Sequence, residues 1–285
     1  MNFKLYKDVS SFNDDIYGLL MENEAANAVF LGDLAVGILG DNSVGWRDTS
    51  KWVMAAAEYE GRAVLAALMV GGDRMRIYAK AGFDGRITAA HMLAKEFKNA
   101  GVVIPGIVSE ASLGLAFSRQ YTACEAVKYT KKEERIYRLD RCFFNPARAA
   151  KGRLRRAKAS DLAFIPYWRE DFFGKLGAAA DLDGYEAMIS AKNLYILEDG
   201  GVPVSMARID QKLENICGLG LIYTPPYFRN KGYGASVTAR LSKICLDERY
   251  SCVLSADLSN PVSNGIYQKL GYRQVCDLLL IDFEG

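Results

Sequence analysis

The sequence predicts an α/β chain of the α+β type, with a mixed, mostly antiparallel central sheet flanked by helices. Short apolar runs meet at tight turns, Glu60-Gly61, Gly71-Gly72-Asp73 and Glu198-Asp199-Gly200-Gly201, and read as hairpins. Segments with apolar residues three and four apart follow those hairpins, as at Val237, Leu241, Ile244 and Cys245, and read as sheet-covering helices. The order of elements also repeats. Ile77-Tyr78-Ala79 stands in the first half where Ile222-Tyr223-Thr224 stands in the second, which reads as a degenerate duplication.

In chain order, 11–21 and 24–34 read as helices, with Ile16, Leu19, Leu20 and then Ala28, Leu31, Leu34 facing inward. Strands are expected over 51–59, 63–70 and 75–79, a helix over 86–99, a buried strand over 102–108, a helix over 109–120 and a strand around 133–142. Apolar periodicity lapses over 143–152, which contains the turn opener Asn145-Pro146. This divides the chain into two domains, over 1–145 and 151–285. The second domain restarts with a strand over 154–157, a helix capped by Ser160-Asp161 and running through Phe173, and a helix over about 183–191. Strands over 194–197, 202–209, 216–223 and 252–256 follow, the last two separated by a helix. Asn260-Pro261 opens another helix, as an N-cap with proline at the first helical position, and Gly271 stops it.

Composition limits the chemistry. The chain has 285 residues, half of them apolar, a formal net charge of +2 and a pI near 8.1, so nothing singles out a nucleic-acid partner. No apolar run reaches membrane-spanning length and the Met1-Asn2-Phe3-Lys4 start lacks the apolar core of a secretory signal, so the expectation is a cytoplasmic protein without a membrane partner. The 6 cysteines form no Cys-x-x-Cys pair and the single histidine, His91, falls on an expected amphipathic helix. No metal is expected, and a Ser-His or Cys-His hydrolase would have to depend on His91.

The most informative stretch is Ile222-Tyr223-Thr224-Pro225-Pro226-Tyr227-Phe228-Arg229-Asn230-Lys231-Gly232-Tyr233-Gly234-Ala235. The two prolines supply no backbone donors and end the strand. Gly232 and Gly234 lack Cβ atoms, so consecutive N–H groups can approach a ligand beside the positive end of the next helix. Arg229 and Lys231 add charge suited to a diphosphate.

Two motifs in register carry a resemblance. Arg229-x-x-Gly232-x-Gly234 is similar to the pyrophosphate loop, and Asn260-x-x-Ser263-x-x-x-Tyr267-x-x-x-Gly271-Tyr272 to the leaving-group helix, of the GNAT superfamily of acyl-CoA-dependent N-acyltransferases. The resemblance covers about Leu154 to Phe283, and it implies a catalytic, acyl-CoA-binding domain over 151–285 beside a degenerate GNAT-like or accessory α/β domain over 1–145. It implies acetyl-CoA, or another acyl-CoA, as co-substrate, with no metal. It implies pantetheine contacts from the backbone of Ile222 and Thr224 and from Asn260, whose other reading is a plain helix cap. The diphosphate would rest on the amides of Arg229, Asn230, Lys231, Gly232, Tyr233, Gly234 and Ala235. Tyr267 is the implied general acid, and Tyr223 either faces the acyl group or packs in the core. The acceptor would be a primary amine, on a small molecule or on a protein, and a homodimer is left open.

One departure concerns the base. Relatives often carry a carboxylate on the central strand, where this chain has Gly218; Glu214, Glu170 and Asp171 are candidates by neighbourhood alone. An acyl-CoA-binding protein without turnover is the competing reading. A dinucleotide-binding oxidoreductase fits poorly, because the glycine loop follows a hairpin and not the first strand of a βαβ unit. In the first half, the shorter Lys80–Arg86 loop carries Asp84, and Ser109-Glu110-Ala111 replaces the Asn-Pro start, so that half is not expected to bind acyl-CoA.

Overall fold

The computed structural model describes residues 1–40, 48–122, 129–143, 150–174 and 182–283. In chain order these form β1 (Asn2–Tyr6), α1 (Val9–Met21), α2 (Ala28–Leu39), β2 (Val53–Tyr59), β3 (Arg62–Met69), β4 (Met75–Ala79), α3 (Arg86–Asn99), β5 (Gly106–Ser109), α4 (Ala111–Tyr121) and β6 (Tyr129–Leu139). There follow β7 (Arg153–Arg156), α5 (Ile165–Phe173), α6 (Leu182–Ser190), β8 (Leu194–Asp199), β9 (Val202–Lys212), β10 (Ile216–Tyr223), α7 (Tyr233–Asp247), β11 (Ser251–Asp257), α8 (Pro261–Leu270) and β12 (Arg273–Phe283). The fold class is the expected one, a mostly antiparallel mixed sheet flanked by helices.

Most expected elements are present, and the differences have local causes. The helix expected over 24–34 starts at Ala28, because Asn27 turns its amide back onto the Leu20 carbonyl at 2.9 Å, and it runs on to a left-handed Gly40. The strand expected over 102–108 begins at Gly106, just after Pro105, which has no donor for a ladder. The helix expected from Ser160 breaks at Phe164 into a short 3-10 turn and α5, with Pro166 in the first turn of α5. Neither β1 nor β12 is expected from the sequence; β1 has only 5 residues, too few for its apolar pattern to stand out.

Two compact units result, and their boundary differs from the expected break at 145–151, most of which lies outside the described residues. One unit comprises 1–136, 257–259 and 275–285, and the other 137–256 and 260–274. The break in periodicity that marks 143–152 is a local signal, and it carries no trace of a terminal strand that returns to the first unit.

In the first unit, the strand order is β1-β2-β3-β4-β5-β12-β6. β12 runs antiparallel to β5, with Leu280 opposite Val108, and Arg135 on β6 holds Asp277 on β12 through two hydrogen bonds of 2.7 and 2.8 Å. The core sits under α3 and α4, where Ala89, Ala90, Leu93, Ala94 and Phe97 meet Met75, Ile107, Phe117 and Ile281. Those α3 positions recur at helical spacing, so one face of the helix is buried. The loop before α3 is closed on itself: a Cβ added at Gly85 would lie 2.6 Å from the Phe83 ring. Gly106 is also tightly held. Its added Cβ would meet the Ile281 carbonyl oxygen at 2.4 Å, so Gly106→Ala is expected to destabilise the chain by about 1–3 kcal/mol in a denaturant titration.

In the second unit, the order is β11-β10-β9-β8-β7. α7 and α8 cover a core that includes Val237, Leu241, Cys245, Tyr267 and Leu270, while α5 and α6 contribute Ile165, Trp168 and Tyr185 to a separate cluster with Met206, Leu221 and Tyr223. Cys217, Cys245 and Cys252 are buried as small apolar side chains. Two features of β10 shape the site. Its parallel pairing with β11 covers only Ile216, Cys217 and Gly218, so the strand beyond is unpaired on that side. Its pairing with β9 slips between Gly220 and Tyr223, where Leu221 takes a left-handed φ of 50°.

Candidate active site

The free end of β10 leads into the loop expected to hold an anion. Pro226–Phe228 forms one 3-10 turn, and Asn230 and Gly232 then take left-handed φ values of 63° and 81°, which ends the turn and opens α7. No side chain caps α7, and its first backbone acceptor takes the amide of Ser236, from Gly232 O at 3.0 Å. The amides of Tyr233, Gly234 and Ala235 therefore lack an intrahelical acceptor, at the positive end of a 15-residue helix. Arg229, Asn230, Lys231 and Gly232 are exposed and Tyr233, Gly234 and Ala235 half-buried, but the Arg229 amide, expected to meet the diphosphate, instead closes the 3-10 turn by donating to the Pro226 carbonyl at 3.2 Å.

The side chains of the loop brace it. Arg229 Nε donates to the Thr224 carbonyl at 3.0 Å, Tyr233 Oη donates to Asp199 at 2.5 Å, and the Lys231 ammonium lies 5.7 Å from the centre of the Phe228 ring. Ser205 Oγ donates to the Tyr223 carbonyl at 2.7 Å, and lies 2.9 Å from Thr224 Oγ1. Of the strand-end carbonyls, those of Tyr223 and Thr224 thus have protein donors, while Ile222 is half-buried at the edge that β11 leaves unpaired.

The two glycines differ. Gly232 needs its left-handed φ, whereas a Cβ on Gly234 would make ordinary contacts only, 3.4 Å from Thr224 Oγ1 and 4.0 Å from Ile266. The fold does not demand glycine at 234. An acyl-CoA diphosphate, which needs close backbone approach, fits the exposed amides, the absent Cβ and the two cations.

Asn260 is the N-cap of α8, accepting the Ser263 amide on Oδ1 at 3.2 Å. Tyr267 is buried on α8, its ring centre 6.0 Å from that of Tyr137 and 5.9 Å from that of Tyr272. No described residue hydrogen-bonds its hydroxyl. Burial, then the neighbouring Tyr137, pushes the phenol up to about 12. The folded protein therefore holds this proton from about pH 10, where a free phenol loses it, up to about 12. Its contribution to stability is complete below the lower value and is lost as pH rises through the upper one. Tyr267→Phe should lessen the alkaline loss by up to about 3 kcal/mol, read as the difference between wild-type and variant denaturant midpoints from about pH 9 to about pH 12.

A cavity of about 500 Å³ borders the same strand end, lined by Tyr167, Trp168, Glu170, Asp171, Gly174, Tyr223, Pro225, Pro226 and Tyr227. Tyr167, Glu170, Asp171 and Gly174 fall three and four apart along and just past α5, which places them on one face. Tyr223 both packs in the core against Trp168, with ring centres 5.9 Å apart, and reaches the cavity, where its hydroxyl donates to Asp171 Oδ2. Burial and that carboxylate hold the phenol above its ordinary range. Of the carboxylates near in sequence, Glu170 and Asp171 line the cavity and Glu214 does not. The space opened by the β10 glycines is filled from β9: a Cβ on Gly218 would meet Gln211 at 2.9 Å, and one on Gly220 would meet Asp210 at 2.0 Å. Sequence reasoning missed the aromatic walls, whose one signal was the run Tyr167-Trp168-Arg169-Glu170-Asp171-Phe172-Phe173 on a helix.

Among the described residues, no cluster of His, Cys, Asp and Glu could hold a metal, and no helix is long and apolar enough to cross a membrane. Comparison with known proteins agrees with this geometry. The family model described as FR47-like protein matches residues 208–279. None of the curated proteins matches the chain. An acetyltransferase of the GNAT family from Colwellia psychrerythraea is 13% identical, with 100% of both chains covered and a TM-score of 0.59. A GCN5-related N-acetyltransferase from Sphaerobacter thermophilus is 13% identical over 99% of this chain and 95% of its own, with a TM-score of 0.63. A tandem GNAT protein from the clavulanic acid biosynthesis pathway is 10% identical over 100% of this chain and 99% of its own, with a TM-score of 0.54. The chain is therefore similar in fold to these acetyltransferases over its whole length, and its FR47-like segment spans the loop before α7, α7 itself and α8.

Proposed function

We propose that this chain is an N-acyltransferase that moves an acyl group, acetyl in the first instance, from acyl-CoA to a primary amine by direct attack within a ternary complex. The observation that carries this is the line of uncapped amides from Tyr233 to Ala235, beside a strand end freed from its neighbour. Bound acyl-CoA supplies the thioester whose acyl carbon is attacked. The loop amides, Arg229 and Lys231 hold the diphosphate, and the edge of β10 at Ile222 and Thr224 aligns the pantetheine arm. An amide at Tyr223 or Thr224 polarises the acyl carbonyl, and Tyr267 provides a proton at the leaving sulfur. Asn260 orders the start of α8, and contacts to pantetheine are a second use of the same side chain. Most of the acceleration comes from holding amine and thioester in one geometry.

Calorimetry with acetyl-CoA tests binding, and a free-thiol assay with a panel of amines tests turnover. Heat without thiol release from any amine would favour an acyl-CoA-binding protein. No heat with any acyl-CoA would reject both readings.

A further inference from the structure

The cavity beside β10 has a chemistry unlike that of the anion loop. Its described lining holds two carboxylates, Glu170 and Asp171; the Arg229 guanidinium reaches the Tyr223 hydroxyl from the loop and offsets one of them, so the balance still favours a cation. Its walls are the rings of Tyr167, Trp168, Tyr223 and Tyr227, which offer flat apolar surface and negative ring faces. At about 500 Å³ it is the size of a small-molecule site. It also meets the loop at Tyr223 and Pro225, where the acyl end of the coenzyme would lie.

Asp171 is oriented for a task. Its Oδ2 accepts from the Tyr223 hydroxyl, and no described residue hydrogen-bonds its Oδ1. A carboxylate fixed on one oxygen and open on the other suits an N–H donor entering the cavity.

Resting on the acyltransfer reading above, we propose that this cavity is the acceptor pocket, that it takes a small primary amine whose ammonium is borne on an aromatic body, and that Asp171 accepts the ammonium proton. The nitrogen lone pair so freed forms the N–C bond as the C–S bond breaks. The nitrogen gives up two protons in all: one passes through Asp171 to water, and the other ends on the departing sulfur. The products are an amide, the coenzyme thiol and one released proton. Tyr223 is a positioning residue, acting through Asp171.

The test is calorimetry on the full chain, with 2-phenylethylamine, 2-phenylethanol, a lysine-containing peptide and acetyl-CoA as separate titrants. The amine should bind at least 10-fold more tightly than the alcohol. Asp171→Asn, an exposed substitution checked by its melting temperature, should weaken the amine at least 10-fold and leave acetyl-CoA unchanged. Equal affinity for amine and alcohol, an unaffected Asp171→Asn, or heat from the peptide alone would each overturn the assignment. Absence of heat with acetyl-CoA would overturn the acyltransfer reading itself, and with it the acceptor role, so the two failures are separable.

Discussion

Tyr267→Phe is expected to lower turnover about 10²- to 10³-fold while changing acyl-CoA affinity by less than about twofold. The ring stays packed against Tyr137 and Tyr272, and the lost hydroxyl has no protein hydrogen bond among the described residues, so the fold loses little. With the phenol pushed up to about 12, the proton is always present at neutral pH. It passes to the sulfur only as negative charge builds there, which confines the benefit to the transition state. Steady-state kinetics beside an acetyl-CoA titration would check this, and unchanged turnover would remove Tyr267 from the acid role.

Gly234→Ala is expected to act with opposite signs on stability and binding. Alanine favours a helix over glycine by about 0.5–1 kcal/mol, and the added methyl meets only ordinary contacts, so the melting temperature should hold or rise. Acyl-CoA affinity should fall at least about 10-fold, because the methyl stands where backbone must approach the diphosphate. Gly232→Ala provides the contrast. At a φ of 81° it should cost about 1 kcal/mol of stability whatever it does to binding. A Gly234→Ala protein that binds acyl-CoA as tightly as wild type would show that the diphosphate lies elsewhere.

What the sequence revealed follows the range of the forces involved. β4, α3 and β10 begin and end where the residues predict, since turn glycines and helical spacing act over a few positions. The loop between β10 and α7 was legible for the same reason: its prolines, glycines and cations are contiguous. The partners of Tyr223 were not. Its contact with Asp171 joins a strand to a helix 52 positions away in sequence, and neither residue's neighbours announce it. The β10 glycines illustrate the same limit, because the side chains that lie against them, Asp210 and Gln211, come from a neighbouring strand. β12 was missed because a strand's destination is set by pairing across the chain, and its half-buried residues give only a weak alternation.

The return of β12 to a place between β5 and β6 governs when the first unit can be completed. On a ribosome, β1 to β6 emerge well before β12, and the slot between β5 and β6 stays vacant until β12 is synthesised. Until then each faces that slot with unsatisfied main-chain groups, a template for mispairing with other nascent chains. Maturation of the first unit is thus postponed until β12 has been made, and its closure depends on contacts of very long sequence separation, the slowest kind to form.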